Sequence, residues 1–143
     1  MINNKIAFKT DKDEIVIIDY RDIDICCLSP STKTINIRIN DKEYNYYVAD
    51  AYNNIEKILN VIVYNKVKKE KEPLNANSRI VFNSDDLKVI LVDPNAADII
   101  VLDNTDNTIT IVICGEKFVY NISKNYSKIL DYFIHENKFE NLI

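Results

Sequence analysis

Glycine is nearly absent from this chain of 143 residues, which has one Gly, three Pro, one His, three Cys and no Trp. A phosphate-cradling loop needs glycine where backbone approaches ligand, so a Gly-rich nucleotide site is excluded. A catalytic triad would have to use His135, the single histidine, which falls in the last turns of a predicted helix, where a cation suits the dipole. Cys26, Cys27 and Cys114 are odd in number and form no disulfide framework. Together with His135 they offer neither a CxxC nor an HxxxH spacing, so no metal and no cofactor are expected. No apolar run approaches the roughly 18 residues of a membrane span. The start, Met1 to Lys5, lacks the apolar core of a signal peptide, which gives a cytoplasmic expectation, or the host cytoplasm for a phage protein. The sequence pI of about 5.0 and the lack of a basic stripe give the expectation of no nucleic-acid partner.

What is present is a folding composition, 47% hydrophobic and 28% charged. The chain also matches itself without a gap at an offset of 74 positions. Asn3, Ile6, Phe8, Asp11, Asp19, Asp24, Ile25 and Leu28 fall on Asn77, Ile80, Phe82, Asp85, Asp93, Asp98, Ile99 and Leu102. Thr34, Ile35, Ile37, Ile39, Tyr46, Tyr52 and Ile55 fall on Thr108, Ile109, Ile111, Ile113, Tyr120, Tyr126 and Ile129. Shared composition gives scattered isoleucine matches, but not one register that also carries Asp, Thr and Tyr.

In the first half, short strands are predicted at Ile6–Lys9, Glu14–Asp19, Ile23–Leu28, Thr34–Ile39 and Glu43–Val48. Glu14–Asp19 is continuously apolar between its ends, the pattern of a strand covered on both faces. Thr34–Ile39 alternates, with Ile35, Ile37 and Ile39 inward and Asn36 and Arg38 outward. A helix is predicted over Ala51–Tyr64 with Asp50 as its N-cap, and Ser123 as the cap of its counterpart. The expected fold class is therefore α+β: a tandem duplication of a β-β-β-β-β-α unit, with mainly antiparallel sheets, one C-terminal helix per sheet and a pseudo-twofold arrangement. The expected domains are 1–66 and 77–143, joined by a charged linker or helix extension at 67–76.

The halves diverge on one strand face. Asn36, Arg38, Asn40, Asn45 and Tyr47 are replaced by Thr110, Val112, Cys114, Val119 and Asn121. Residues 1–72 are charge-balanced, with 12 basic and 12 acidic residues, so the net −4 lies in the second half. An apolar face rimmed by acids suits a protein partner. The candidate partner surface is Ile100, Leu102, Asp103, Asp106, Thr110, Val112, Cys114 and Val119. The run from Asp103 to Thr108 lacks the central Gly and closing Glu of a calcium loop and reads as a polar turn.

The stretch Ile18-Asp-Tyr-Arg-Asp-Ile23, then Lys33–Ile39, Tyr44-Asn-Tyr46 and the helix Ile55–Ile62, resembles the second half of bacterial PH/GRAM-like domains. In that family an I-x-x-x-D-I strand leads through two further strands to a C-terminal helix. The resemblance implies a module that binds a small ligand or membrane component. It covers about 45 residues of each half and assigns no binding residue.

These readings lead to a non-enzymatic protein-binding module: a small acidic adaptor, or an inhibitor or immunity-type protein of a microbe or phage. Its partner is expected to be another protein, with a homodimer as an alternative. The runner-up is the PH-like ligand module.

Overall fold

The computed structural model describes residues 5–68 and 79–136. Most of the expected 67–76 linker lies outside them. The first half contributes β1 (Lys5–Lys9), β2 (Ile15–Asp19), β3 (Ile25–Ser29), β4 (Thr34–Ile39), β5 (Lys42–Tyr47) and α1 (Tyr52–Lys68). The second contributes β6 (Ile80–Asn83), β7 (Val89–Val92), β8 (Ile99–Asp103), β9 (Thr108–Ile113), β10 (Glu116–Asn121) and α2 (Tyr126–Asp131), followed by one π-helical turn, Tyr132–Glu136.

Every strand pairing is antiparallel, and the strands form three sheets: β1-β2, β5-β4-β3-β7-β6 and β10-β9-β8. The five-stranded sheet is the middle layer. On one face Cys26, Leu28, Ile35, Ile37, Val89 and Leu91 pack with Ile6 and Phe8 of β1 and with Tyr52, Ile55 and Leu59 of α1. On the other, Ile25, Ile80, Phe82, Ile90 and Val92 pack with Ile109, Ile111 and Ile113 of β9 and with Ile129 of α2. Alternation along β7 thus serves two cores, and all four of its residues are buried. Each such side chain contributes about 1.5–3 kcal/mol by leaving water.

The turns repeat at the same offset. Asp13, Lys33, Asn40 and Asp41 have positive φ, as do Leu87, Asn107, Cys114 and Gly115, 74 positions on. Asn40–Asp41 and Cys114–Gly115 place two left-handed residues together, the conformation whose twist suits a two-residue hairpin. Only one of these eight positions is glycine. The others carry a side chain at a cost that the strand pairing on either side offsets.

The expected fold class is corrected here. The molecule is mostly β, and the halves do not fold as separate β5α units with a helix on each sheet. The hairpin β6-β7 of the second half completes the sheet of the first half, through β3–β7 pairing. A twofold arrangement would require the reciprocal exchange, yet β1-β2 forms a sheet of its own. The helices are also unequal, 17 residues against six. Ser123 caps neither: its hydroxyl donates to Asp85 at 2.6 Å, and α2 starts after Asn125, which makes no side-chain cap bond.

Candidate functional site

The residues of the candidate partner surface lie on two faces of the three-stranded sheet. Ile100 and Leu102 point inward against the second core. Thr110 and Val112 lie on the opposite face, because Val112 pairs with Ile99, and Thr110 pairs with Val101 and Val119. That outer face holds Ile99, Val101 and Val119, all exposed. Cys114 is exposed in the β9–β10 turn. Asp103 ends β8 and its carboxylate accepts from Thr105 N in the following turn at 2.9 Å, and Asp106 is exposed in that turn.

The aspartates matched between the halves hold turns rather than assemble an acid–base site. Asp24 accepts from Asn40 N at 3.0 Å, and Asp98 from Cys114 N at 3.2 Å. Asp11 accepts from Ala49 N at 3.0 Å, and Asp85 from Ser123 N at 3.1 Å. Asp19 and Asp93 each accept from the backbone N–H two residues on, Arg21 and Asn95. The Arg21 guanidinium also binds Asp19, at 2.6 and 3.0 Å, and holds its carboxyl well below the usual carboxylate range. Asp93 goes the other way. Burial raises it, against the opposing pull of the Asn95 N–H and the Arg79 cation.

An open cleft of about 430 Å³ has Arg21, Asp22, Asp24, Arg79 and Asp93 in its wall. Arg79 is buried, 3.5 Å from Asp93, and donates to the carbonyls of Ile23, at 2.9 Å, and Arg21. Arg38, expected in solvent, is instead buried, ion-paired with Glu116 and stacked on Phe118. Both arginines join one half of the chain to the other. Cys26 is fully buried and its thiol is pushed far up by desolvation, which leaves it unreactive. Among the described residues no cluster of three or more His, Cys, Asp or Glu could hold a metal.

A different surface has recognition chemistry. On the outer face of β4–β5, Asn36 pairs with Asn45, and its amide donates to Asn45 Oδ1 at 2.6 Å and to Glu43 at 2.8 Å. Tyr47 stands beside them, 66% exposed, across from Thr34. This is the same sheet face as Ile25 and Cys27, and sheet β10-β9-β8 meets it at Arg38 through Glu116 and Phe118. The alternation of β4 made Asn36 legible as outward. The amide ladder needs the strand register, which pairs Asn36 with Asn45.

No family model matches this chain, and no curated protein does. Among solved structures it is similar to one described as the LytTr DNA-binding domain of a response regulator from Bacillus cereus. The two share 12% identity over 92% of this chain and 97% of the other, at a TM-score of 0.49. That description is of a binding domain rather than an enzyme, and the partner it names is DNA. The expectations of a protein-binding adaptor or inhibitor, of a PH-like module, and of a protein partner without nucleic acid are corrected on this finding. The TM-score leaves any argument about this chain's own function to its side chains. No helix among the described residues is long and apolar enough to cross a membrane.

Proposed function

We propose that the chain is a cytoplasmic DNA-binding module that reads base edges with the outer face of the β4–β5 ribbon. The observation that carries this reading is the ladder of Asn36, Asn45 and Glu43 beside exposed Tyr47, on the edge strand pair of the five-stranded sheet. Strands presented in this way can read the major groove, where Asn pairs with the adenine edge and a carboxylate accepts from the cytosine amino group. The ladder uses both amide N–H groups of Asn36, on Glu43 and Asn45, so these bonds exchange for base contacts on binding. With a net charge of −4, few phosphates are neutralised. Affinity then comes from base contacts, with little non-specific binding and a shallow salt dependence.

The test is selection from a pool of random-sequence DNA duplexes on the immobilised full chain, then fluorescence anisotropy with the enriched sequence over a salt series. Enrichment of a defined site is expected, with affinity falling about tenfold or more in Asn36→Ala/Asn45→Ala, while thermal unfolding is unchanged. A pool that emerges no more enriched than from a carrier-protein column overturns the reading.

A further inference from the structure

The β3–β7 junction is the seam between the two halves, and each of its two strands has a counterpart 74 positions away whose outer edge is unpaired among the described residues. In the seam Ile25, Cys26, Cys27 and Leu28 pair with Val92, Leu91, Ile90 and Val89. Asp93 N donates to Asp24 O at 2.9 Å, and Arg79, ion-paired with Asp93, donates to the Ile23 carbonyl. Moved along the chain by 74 positions in the appropriate direction, β3 becomes β8 and β7 becomes β2. Neither strand is paired on its outer edge among the described residues, since β8 ends its sheet and β2 pairs only with β1.

Side-chain burial follows the same correspondence. Ile15, Ile17, Ile99 and Val101 are 73%, 65%, 56% and 47% exposed. Their counterparts in the seam are Val89, Leu91 and Ile25, at 1%, 0% and 2%, and the half-buried Cys27. Four of the exposed large apolar residues are thus the ones whose equivalents the internal seam covers. The ion pair beside the seam is present as well: Lys5 lies 3.6 Å from Asp19, as Arg79 lies from Asp93.

These edges also lack the usual protection. Soluble proteins blunt exposed strands with lysine, proline or bulges. The six-residue edge strands each begin with two charged residues, Lys42 and Glu43 in β5 and Glu116 and Lys117 in β10. β2 reads Ile-Val-Ile-Ile-Asp and β8 reads Ile-Ile-Val-Leu-Asp, each with its one charge at the end.

We infer that β8 of one molecule pairs antiparallel with β2 of a second copy and rebuilds the internal seam between chains. The register places Ile99, Ile100, Val101 and Leu102 opposite Ile18, Ile17, Val16 and Ile15 of the second copy. Ile99 and Val101 are then covered by the first core of that copy, and its Ile15 and Ile17 by the second core of the first molecule. The contact joins two different surfaces, so each molecule offers one edge of each kind, and it repeats until it closes on itself in a ring, of which a reciprocal pair is the smallest, or runs on as an open filament. It leaves the β4–β5 ribbon uncovered, so it stands independently of the DNA reading.

Sedimentation velocity of the full chain over a concentration series, without DNA, tests it with Ile17→Lys and Val101→Lys. The native chain associates into a reciprocal dimer or a larger species as concentration rises. Each variant alone stays monomeric, and an equimolar mixture stops at a 1:1 dimer, because each variant keeps the edge that the other has lost. Native protein that stays monomeric at its highest soluble concentration overturns the inference. So does a single variant that still dimerises, which would reveal β2–β2 or β8–β8 pairing. Circular dichroism confirms folding, and Ile15→Lys with Ile99→Lys serves as the replacement pair if either variant unfolds.

Discussion

Arg79 carries its charge into the protein at 4% exposure, held by Asp93 and the carbonyls of Ile23 and Arg21. Desolvation disfavours its cation, and three backbone and carboxylate oxygens compensate. Truncation would remove that compensation from Asp93, which is itself buried. Arg79→Ala is therefore expected to cost about 3–5 kcal/mol, measured as a fall in the urea midpoint at unchanged slope. Lys5→Ala, at the matching position, is expected to cost under about 1 kcal/mol, because the Lys5 side chain is 39% exposed. The sequence shows Lys5 and Arg79 as a conservative pair. It does not show which of them is buried, because that depends on β3 lying beside β7 and not beside β2. The matched aspartates are a similar case. Their repetition is plain in the sequence, and their carboxylates turn out to hold backbone N–H groups at the turns, a role that needs no catalytic partner.

The strands β2 and β7 show what a local pattern contains and what it omits. Both are continuous apolar runs, and such a run reads as a strand covered on both faces. That holds for Val89–Val92, with each face in a different core, but not for β2, whose Ile15 and Ile17 face solvent. Nothing within the apolar runs Ile15–Ile18 and Val89–Val92 distinguishes them; the neighbour on the outer edge does. Leu91→Ala is expected to destabilise by about 2–5 kcal/mol, and Ile17→Ala, its match 74 positions earlier, by within about 0.5 kcal/mol, in dilute protein by chemical denaturation. Comparable losses would mean that β2 is covered in solution. Hairpins were more legible than pairing between halves, since alternation and turn residues are local signals. Strand boundaries agree to within about two residues, and the eight left-handed turn positions correspond one to one. The helices agree less well. α2 starts at Tyr126, the counterpart of Tyr52 in α1, although Ser123, the expected cap, is held to Asp85; it is short because the α-helical pattern gives way to a π turn at Tyr132.

At the scale of the whole molecule, the middle sheet decides how the chain unfolds. Because β3 and β7 each put alternate side chains into both cores, neither core can open without exposing part of the other. The expected division into units at 1–66 and 77–143 predicts the opposite, two bodies that lose structure separately. Leu28→Ala separates these cases. Leu28 is fully buried in the first core, and its loss is expected to cost about 2–5 kcal/mol there. If the layers form one cooperative body, native-state hydrogen exchange of the Ile111 amide, in the distant three-stranded sheet, loses the same free energy of protection as that of Ile37 beside the mutation. Thermal unfolding then remains a single transition at a lower midpoint. If Ile111 keeps its protection while Ile37 loses it, the seam is a contact between two independent units. The association inferred between chains would then rest on a joint too weak to couple even the two halves of one molecule.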